Sequence, residues 1–320
     1  MDNNSKIYIA GNSGMVGSAL VKKLKSAGYN DLIFQSHKEL NLINQNDVLY
    51  FFKNAKPDIV FIAAAKVGGI NANNTYRGQF LYENLMIQSN IIHAAHNIGV
   101  KKLMFLGSAC IYPRNSPQPI KEEHLLTDKL EFTNEPYAIA KIAGIKLCEN
   151  YYRQYGDNFI SVMPNNLYGI NDNFDLKNSH VLPALMRKFH EAKIHNSEQV
   201  EVWGTGKPLR EFLHVDDLAD ACIYLMNNID ADDLYDSVIS HINIGSGEEF
   251  SIKELAIMIK NVVGFQGDLV FNSDYPDGTP RKLLDVSILN DMGWKYKIKL
   301  DDGLASVYKW YLHNRAEKIL

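Results

Sequence analysis

Lys6-Ile7-Tyr8-Ile9-Ala10-Gly11-Asn12-Ser13-Gly14-Met15-Val16-Gly17 decides the fold. The first five residues predict a buried strand, and apolar spacing through Leu20 and Leu24 predicts a helix that starts where the loop ends. Between them stands Gly-x-x-Gly-x-x-Gly. In that position the glycines permit a tight turn, close approach of the backbone to a pyrophosphate, and tight helix packing, while the helix N-terminus offers N–H groups and the positive end of its dipole. Three glycines can also be plain loop punctuation. The flanking strand and helix favour a dinucleotide site lined by Gly11, Asn12, Ser13, Gly14, Met15, Val16 and Gly17.

Working outward, residues 31–35 predict a second strand that ends in Ser36-His37-Lys38, where an NAD enzyme usually carries a carboxylate for the adenosine ribose. With no carboxylate there, His37 and Lys38 can face a 2′-phosphate, or simply be solvated. A helix over 46–55, a strand over 58–65, a helix over 79–98 and a strand over 102–106 follow. The small residues 63–69 suit backbone lying under a flat cofactor, or simple packing. Strand alternating with helix predicts an α/β fold with a right-handed, doubly wound parallel sheet. Another strand, 158–163, ends in Pro164-Asn165-Asn166-Leu167-Tyr168-Gly169, and from about 171 the alternation loosens. The expected division is a cofactor domain over 1–170, with a returning segment near 208–245, and a smaller α/β substrate lobe made mainly of 171–320.

The strand over 102–106 delivers Gly107-Ser108-Ala109-Cys110-Ile111-Tyr112-Pro113, and a loop then leads to Glu135-Pro136-Tyr137-Ala138-Ile139-Ala140-Lys141. Pro136 suits the first turn of a helix, on which Tyr137 and Lys141 at i and i+4 rise from one face. A phenol titrates near about 10, and an adjacent ammonium is expected to stabilise its anion and make it a better acid. Ser108 can hydrogen-bond the same substrate oxygen. With 17 Tyr in the chain, about one Tyr-x-x-x-Lys pair is expected by chance. This one stands downstream of a dinucleotide loop and a Gly-Ser strand end, which is where short-chain dehydrogenases carry Ser, Tyr and Lys.

Composition excludes several classes. A length of 320 residues with 46% hydrophobic content supports a large α/β unit plus a smaller lobe. A net charge of −4 offers no basic field for nucleic acid. Cys110, Cys148 and Cys222 show no pairing or zinc spacing, so a reducing cytoplasm and no metal are expected. The longest apolar run, 59–65, is too short to span a bilayer, so no membrane role is expected. The apolar surface of the helices over 79–98 and 137–155 leaves room for a dimer contact.

In the second lobe, Met186-Arg187-Lys188 lie on a helix, and residues 200–203 form a strand before Gly204-Thr205-Gly206 and Arg210-Glu211-Phe212-Leu213-His214-Val215-Asp216-Asp217. Arg210 can grip a diphosphate or pair with Glu211 or Asp216. The acidic stretch 230–236 reads as a surface patch without function. Residues 250–263 predict a helix, followed by Tyr275-Pro276-Asp277-Gly278-Thr279-Pro280-Arg281-Lys282.

Residues 64–70, 107–113 and 134–145, Asn178-Ser179-His180-Val181, and residues 210–217 together resemble the GDP-L-fucose synthase family, GDP-4-keto-6-deoxymannose epimerase/reductases, over nearly the whole chain. The resemblance implies an extended short-chain dehydrogenase with a Rossmann domain, a C-terminal nucleotide-sugar lobe, NADP(H) as cofactor, a GDP-sugar substrate and a homodimer. It implies a reductive triad of Ser108, Tyr137 and Lys141, the last also holding the nicotinamide ribose, and an epimerisation pair of Cys110 and His180. Cofactor contacts would include His37, Asn41, Leu42, Leu106, Gly107, Ala109, Pro164, Asn166, Leu167 and His180. Lys188, Trp203, Arg210 and Asp277 would contact the GDP-sugar.

The chain departs from that pattern where Ser13 and His37 replace arginines, which implies a moderate NADPH preference. Lys188 also stands for an Arg, Asn165 for a Thr, and Ile170-Asn171 for Pro-His, changes that could admit a GDP-4-keto-heptose. Dehydratases of the superfamily place Asp-Glu where this chain has Ala109-Cys110, and non-catalytic NADP-binding regulators typically lose the Tyr that is present here.

Overall fold

The computed structural model describes residues 1–176, 179–275 and 277–314. Strands β1 (Ile7–Ala10), β2 (Leu32–Ile33), β3 (Ile59–Ile62), β4 (Lys102–Leu106) and β5 (Phe159–Pro164) alternate with helices α1 (Met15–Ser26), α2 (Gln45–Ala55), α3 (Ile70–Thr75), α4 (Arg77–Ile98) and α5 (Glu135–Tyr155). All residues of β1, β3, β4 and β5 are buried, as strands of a parallel sheet covered on both faces must be. The second strand is two residues long, shorter than the sequence pattern predicts, and its side chains are only half-buried. It is an edge strand paired on one side alone, with β1.

After β5 come β6 (Asn166–Tyr168), α6 (Val181–Ile194), β7 (Gln199–Trp203), β8 (Leu209–His214), α7 (Val215–Asn228), α8 (Ala231–Tyr235) and β9 (Ile242–Ile244). The last joins the main sheet, whose order is β2-β1-β3-β4-β5-β9 with every pairing parallel. The order reverses beside β1, and in such sheets ligands bind outside the carboxyl ends of the strands at that crevice. One face of the sheet packs on α1 and α7 through Leu20, Leu24, Leu218 and Leu225, and the other on α2, α4 and α5 through Phe52, Ile91, Ile92 and Ile145.

The remaining elements are β10 (Glu249–Ser251), α9 (Ile252–Val263), β11 (Asp268–Asn272), β12 (Arg281–Lys282), α10 (Ser287–Asp291) and α11 (Leu300–Asn314). Residues 250 and 251, expected to be helical, belong to β10, because the Ser251 side chain caps the helix by accepting from Glu254 N at 3.1 Å. Strand β8 pairs with β10, β12 and β6, while β7 pairs with β11. A third core of Leu182, Phe189, Phe212, Leu255, Ile259 and Leu304 lies beneath these strands.

The acidic stretch 230–236 has a structural use that its sequence hides. Asp230 accepts from Lys102 Nζ and Asn158 Nδ2, both at 2.7 Å, and Asp236 accepts from the Tyr152 hydroxyl at 3.1 Å. Lys102, buried at the start of β4, also donates to the carbonyls of Met226 and Ile229. The strand that leads to Ser108 is thereby anchored at its far end.

Helix α5 approaches β4 closely because Gly144 has no side chain. A Cβ there would stand 2.4 Å from Cζ of Phe105, a ring that is fully buried and has nowhere to move. Gly144→Ala is expected to cost about 1–3 kcal/mol by overpacking. Thermal denaturation checks this, and an unchanged melting temperature would contradict the packing described.

Candidate active site

Beyond β4, Gly107 N donates to Val162 O at 2.8 Å, Ser108 is extended, and Ala109–Ile111 forms one tight turn closed by Ile111 N on Ser108 O at 3.1 Å. The turn leaves Ser108 half-buried and Cys110 only 7% exposed. Next to it, the Tyr112 hydroxyl lies 2.6 Å from His241 Nε2 and donates to Asn243 Oδ1 at 2.5 Å. Asn243 N in turn donates to Glu122 Oε1 at 2.9 Å. Burial pushes the Glu122 carboxyl up to about 7 and His241 down to about 3, so the turn hangs on a desolvated polar network.

Pro136 lies in the first turn of α5, as its fixed φ favours. The Tyr137 ring packs edge-on to Phe80, with centroids 6.4 Å apart. Lys141 is 3% exposed; its Nζ donates to Leu106 O at 2.8 Å and lies 4.7 Å from the Phe105 centroid and 5.7 Å from that of Tyr137. Sequence reasoning expects the ammonium to lower the phenol's pKa, and the structure corrects this. Burial dominates and pushes the Tyr137 hydroxyl well up, with Cys110 adding to it, while burial brings Lys141 down to about 8. Tyr137 therefore holds its proton firmly, the state that a proton donor requires.

His180 is the N-cap of α6 and is exposed. The protein around it lowers its imidazole below the usual range, and the charge of Lys282 lowers it further. Cys110 is raised by burial, partly offset by Lys282, Ser108 and Lys141. The structure thus brings Ser108, Cys110, Tyr137, Lys141 and His180 to the same end of the sheet. Asn178, quoted with His180 from the sequence, lies outside the described residues.

At the β1 end, Gly11 has φ +83°, and a Cβ on Gly17 would collide with Gly11 O at 2.0 Å, so both are required by the turn itself. Gly14 is different. A Cβ there would meet only Gly11 O, at 3.5 Å, so the fold does not demand glycine, whereas a phosphate against the backbone would. Gly14 N-caps α1 without a side-chain bond, and the first turn carries no acidic residue. These residues fit a dinucleotide pyrophosphate. Leu106, Gly107 and Ala109 at the end of β4, and Pro164, Asn166 and Leu167 at β5–β6, continue the strip. Asn166 Nδ2 is held by Glu211 O at 2.8 Å. His37 is exposed just past β2, Asn41 accepts from Ile43 N at 3.2 Å, and Leu42 packs against the core.

In the second lobe, Lys188 Nζ stands 4.7 Å from the Trp203 centroid, and Trp203 stacks on Tyr275 at 4.4 Å and 11°. Asp277 accepts from Thr205 N at 2.9 Å and Thr205 Oγ1 at 2.6 Å. Arg210 Nη1 donates to Leu209 O at 2.8 Å; burial lowers the guanidinium, and Asp277 is the charge that opposes this. Neither carboxylate weighed as its partner from sequence serves it. Asp216 pairs with Lys22 at 2.7 Å, and Glu211 is fully buried, accepting from Gly247 N at 2.7 Å, Leu284 N at 3.0 Å and Asn165 Nδ2.

Sequence reasoning missed Lys282, Tyr275 and the Asn165–Glu211 contact. Lys282 sits on a two-residue strand brought beside Arg210 only by β12–β8 pairing, a long-range contact with no local signal. Asn134, at the N-cap of α5, has a buried Oδ1 with no hydrogen-bond partner among the described residues, and it lines a cavity of about 40 Å3 shared with Cys110 and Lys282.

The family model of the NAD dependent epimerase/dehydratase family matches residues 7–245. The chain is 58% identical to GDP-L-fucose synthase 1 of Arabidopsis thaliana over 313 residues, covering 98% of this chain and 95% of that one. It is 55% identical to the GDP-L-fucose synthase of Escherichia coli K12 over 312 residues, 97% of each. Among solved structures, a GDP-mannoheptose C4 reductase from Campylobacter jejuni with NADP bound superposes with a TM-score of 0.90 at 49% identity, covering 98% of this chain and 99% of that one. The chain belongs to the NAD dependent epimerase/dehydratase family, the extended short-chain dehydrogenases, alongside the GDP-L-fucose synthases.

Proposed function

We propose that the chain is an NADPH-dependent reductase of the C4 ketone of a GDP-4-keto sugar that also epimerises C3 and C5, converting GDP-4-keto-6-deoxymannose to GDP-L-fucose. The observation that carries this is the convergence of Ser108, Tyr137 and Lys141 with Cys110 and His180 at one end of the sheet.

NADPH supplies the hydride when bound. Gly11 to Gly17 and the α1 N-terminus would hold its pyrophosphate, the residues after β4 and β5 would line its nicotinamide half, and Lys141 would bind the ribose. Ser108 donates a hydrogen bond to the C4 oxygen, and Tyr137 gives that oxygen its proton. A phenol remains a stronger acid than the alcohol formed when the C4 alkoxide takes its proton. Cys110 and His180 work on the carbons beside the ketone, whose protons the C4 carbonyl acidifies: one takes a proton and the other returns one to the opposite face. Lys188, Trp203, Arg210 and Asp277 hold the nucleotide diphosphate.

The same proposal includes the division into a cofactor half (1–170 with 208–245) and a nucleotide-sugar lobe (171–320), a cytoplasmic enzyme, and a homodimer. The dimer would use the outer faces of α4 and α5, where Tyr82 is 59% exposed and Ile139 44%. No helix among the described residues is long and apolar enough to cross a membrane. A second reading, reduction of a GDP-4-keto-heptose without epimerisation, draws on the 49% identity to the C4 reductase and on Asn165 near the sugar site.

Tyr137→Phe is expected to lower kcat by about 10²-fold or more with the fold intact, in line with general acid catalysis worth about 10² to 10⁴. Steady-state reduction followed by nicotinamide absorbance checks it, and near-wild-type turnover would remove Tyr137 from the mechanism.

Cofactor choice is open to a second test. With no carboxylate among residues 34–38 after β2, Glu39 turned back to accept from Ser36 N at 2.8 Å, and His37 and Lys38 exposed there, NADPH is expected to exceed NADH in kcat/KM by about 10- to 100-fold, the worth of one charge-assisted contact. A preference for NADH would show that neither residue serves the 2′-phosphate.

A further inference from the structure

Lys282 is a basic residue of the cleft with no task in the reaction described above. It closes β12 in register with Arg210 of β8, and its side chain is half-buried. The neighbouring Arg281 pairs with Glu249 at 2.7 Å, whereas Lys282 has no ion pair among the described residues. Desolvation lowers its ammonium, and Arg210 lowers it further. A half-buried cation without a counter-charge costs free energy, and an enzyme site retains one where negative charge develops during the reaction.

The group within reach that becomes an anion during proton transfer is Cys110. Cys110 and Lys282 line the same cavity of about 40 Å3. The other ionised groups around that cavity are already neutralised: Arg114 pairs with Glu131 at 3.3 Å, and Arg281 pairs with Glu249. From α5, Tyr137 and Lys141 face the thiol, but Lys141 is tied to Leu106 O, and Ser108 hydrogen-bonds it from its own turn. His180, at the start of α6, lies within the field of the same Lys282, and Glu211 of β8 is turned into its own hydrogen-bond cage.

We propose that Lys282 is the fixed cation that tunes the Cys110–His180 pair for epimerisation, acting through those two groups. This rests on the reading of that pair as the epimerase acid and base. In each inversion one member takes a proton from a carbon beside the ketone, leaving the bonding electrons on the C4 enolate oxygen. The other returns a proton to the opposite face, so the proton count is unchanged. In either direction Cys110 is a thiolate at one stage, before it takes a proton or after it gives one, and Lys282 stabilises that anion. The same charge disfavours the imidazolium, which makes protonated His180 a readier donor. The electrostatics run the same way: the Lys282 charge opposes the rise of the Cys110 thiol and lowers the His180 imidazole.

The test uses full-length enzyme carrying Lys282→Met, Lys282→Arg or Cys110→Ser, with NADPH binding as the control for folding. Iodoacetamide alkylation of Cys110 is followed against pH by mass spectrometry, since Cys148 and Cys222 are fully buried and lie on separate peptides. Lys282→Met is expected to raise the apparent thiol pKa by about one unit or more, and Lys282→Arg to restore it. Solvent-deuterium exchange into C3 and C5 of GDP-4-keto-6-deoxymannose without NADPH should fall at least about tenfold in Lys282→Met at neutral pH, since one pKa unit is a factor of ten in thiolate. A wild-type alkylation profile or wild-type exchange in Lys282→Met overturns the role of Lys282, provided Cys110→Ser abolishes exchange. Full exchange in Cys110→Ser overturns the acid–base reading of Cys110 itself, and the proposal with it.

Discussion

The cleft depends on one buried carboxylate. Glu211 is wholly removed from solvent, and its oxygens accept from Gly247 N after β9, Leu284 N after β12 and Asn165 Nδ2 between β5 and β6. Three segments far apart in sequence meet at one side chain. Burial raises its pKa and those donors lower it, so the carboxylate is tolerable only while all of them stay in place. Because side chains alternate along a strand, Glu211 turned inward leaves Arg210 toward the nucleotide site. The β12 segment carrying Lys282 and the β6 segment carrying Asn166 are fixed by the same knot.

Desolvation sets the proton inventory around the sheet end. It raises Tyr137 and Cys110, lowers His180, and brings Lys141 to about 8, so each group is pushed toward its neutral form. That suits a site whose work is to hand protons over and recover them, since a neutral phenol can give and a neutral imidazole can receive. Fixed charges then correct the balance locally. Lys141 serves the strand end through Leu106 O, and Lys282 is placed to serve the thiol.

What could be read from sequence was local. The glycine loop, the Tyr–Lys helix behind Pro136 and the alternation of buried strands are set by neighbours in the chain, and the structure has them where the residues indicate. The shortfalls are non-local. The second strand is two residues because edge pairing, not propensity, sets its length. The stretch 230–236 looks like surface charge until Lys102 and Asn158 come across to meet it. Glu211 looked like a partner for Arg210, and only the sheet shows them on opposite sides. The effect of Lys141 on Tyr137 is not legible in sequence because spacing gives proximity but not burial, and burial outweighs an ammonium bonded elsewhere. Lys282 gave no signal, since two-residue β12 is defined only by its partner.

The central claim is that one cleft both inverts and reduces a GDP-4-keto sugar. Turnover of GDP-4-keto-6-deoxymannose with NADPH in deuterium oxide, with the product identified by NMR, tests it most directly. The account predicts GDP-L-fucose carrying deuterium at C3 and C5 and protium from NADPH at C4. A product reduced at C4 with C3 and C5 uninverted and unlabelled would contradict it.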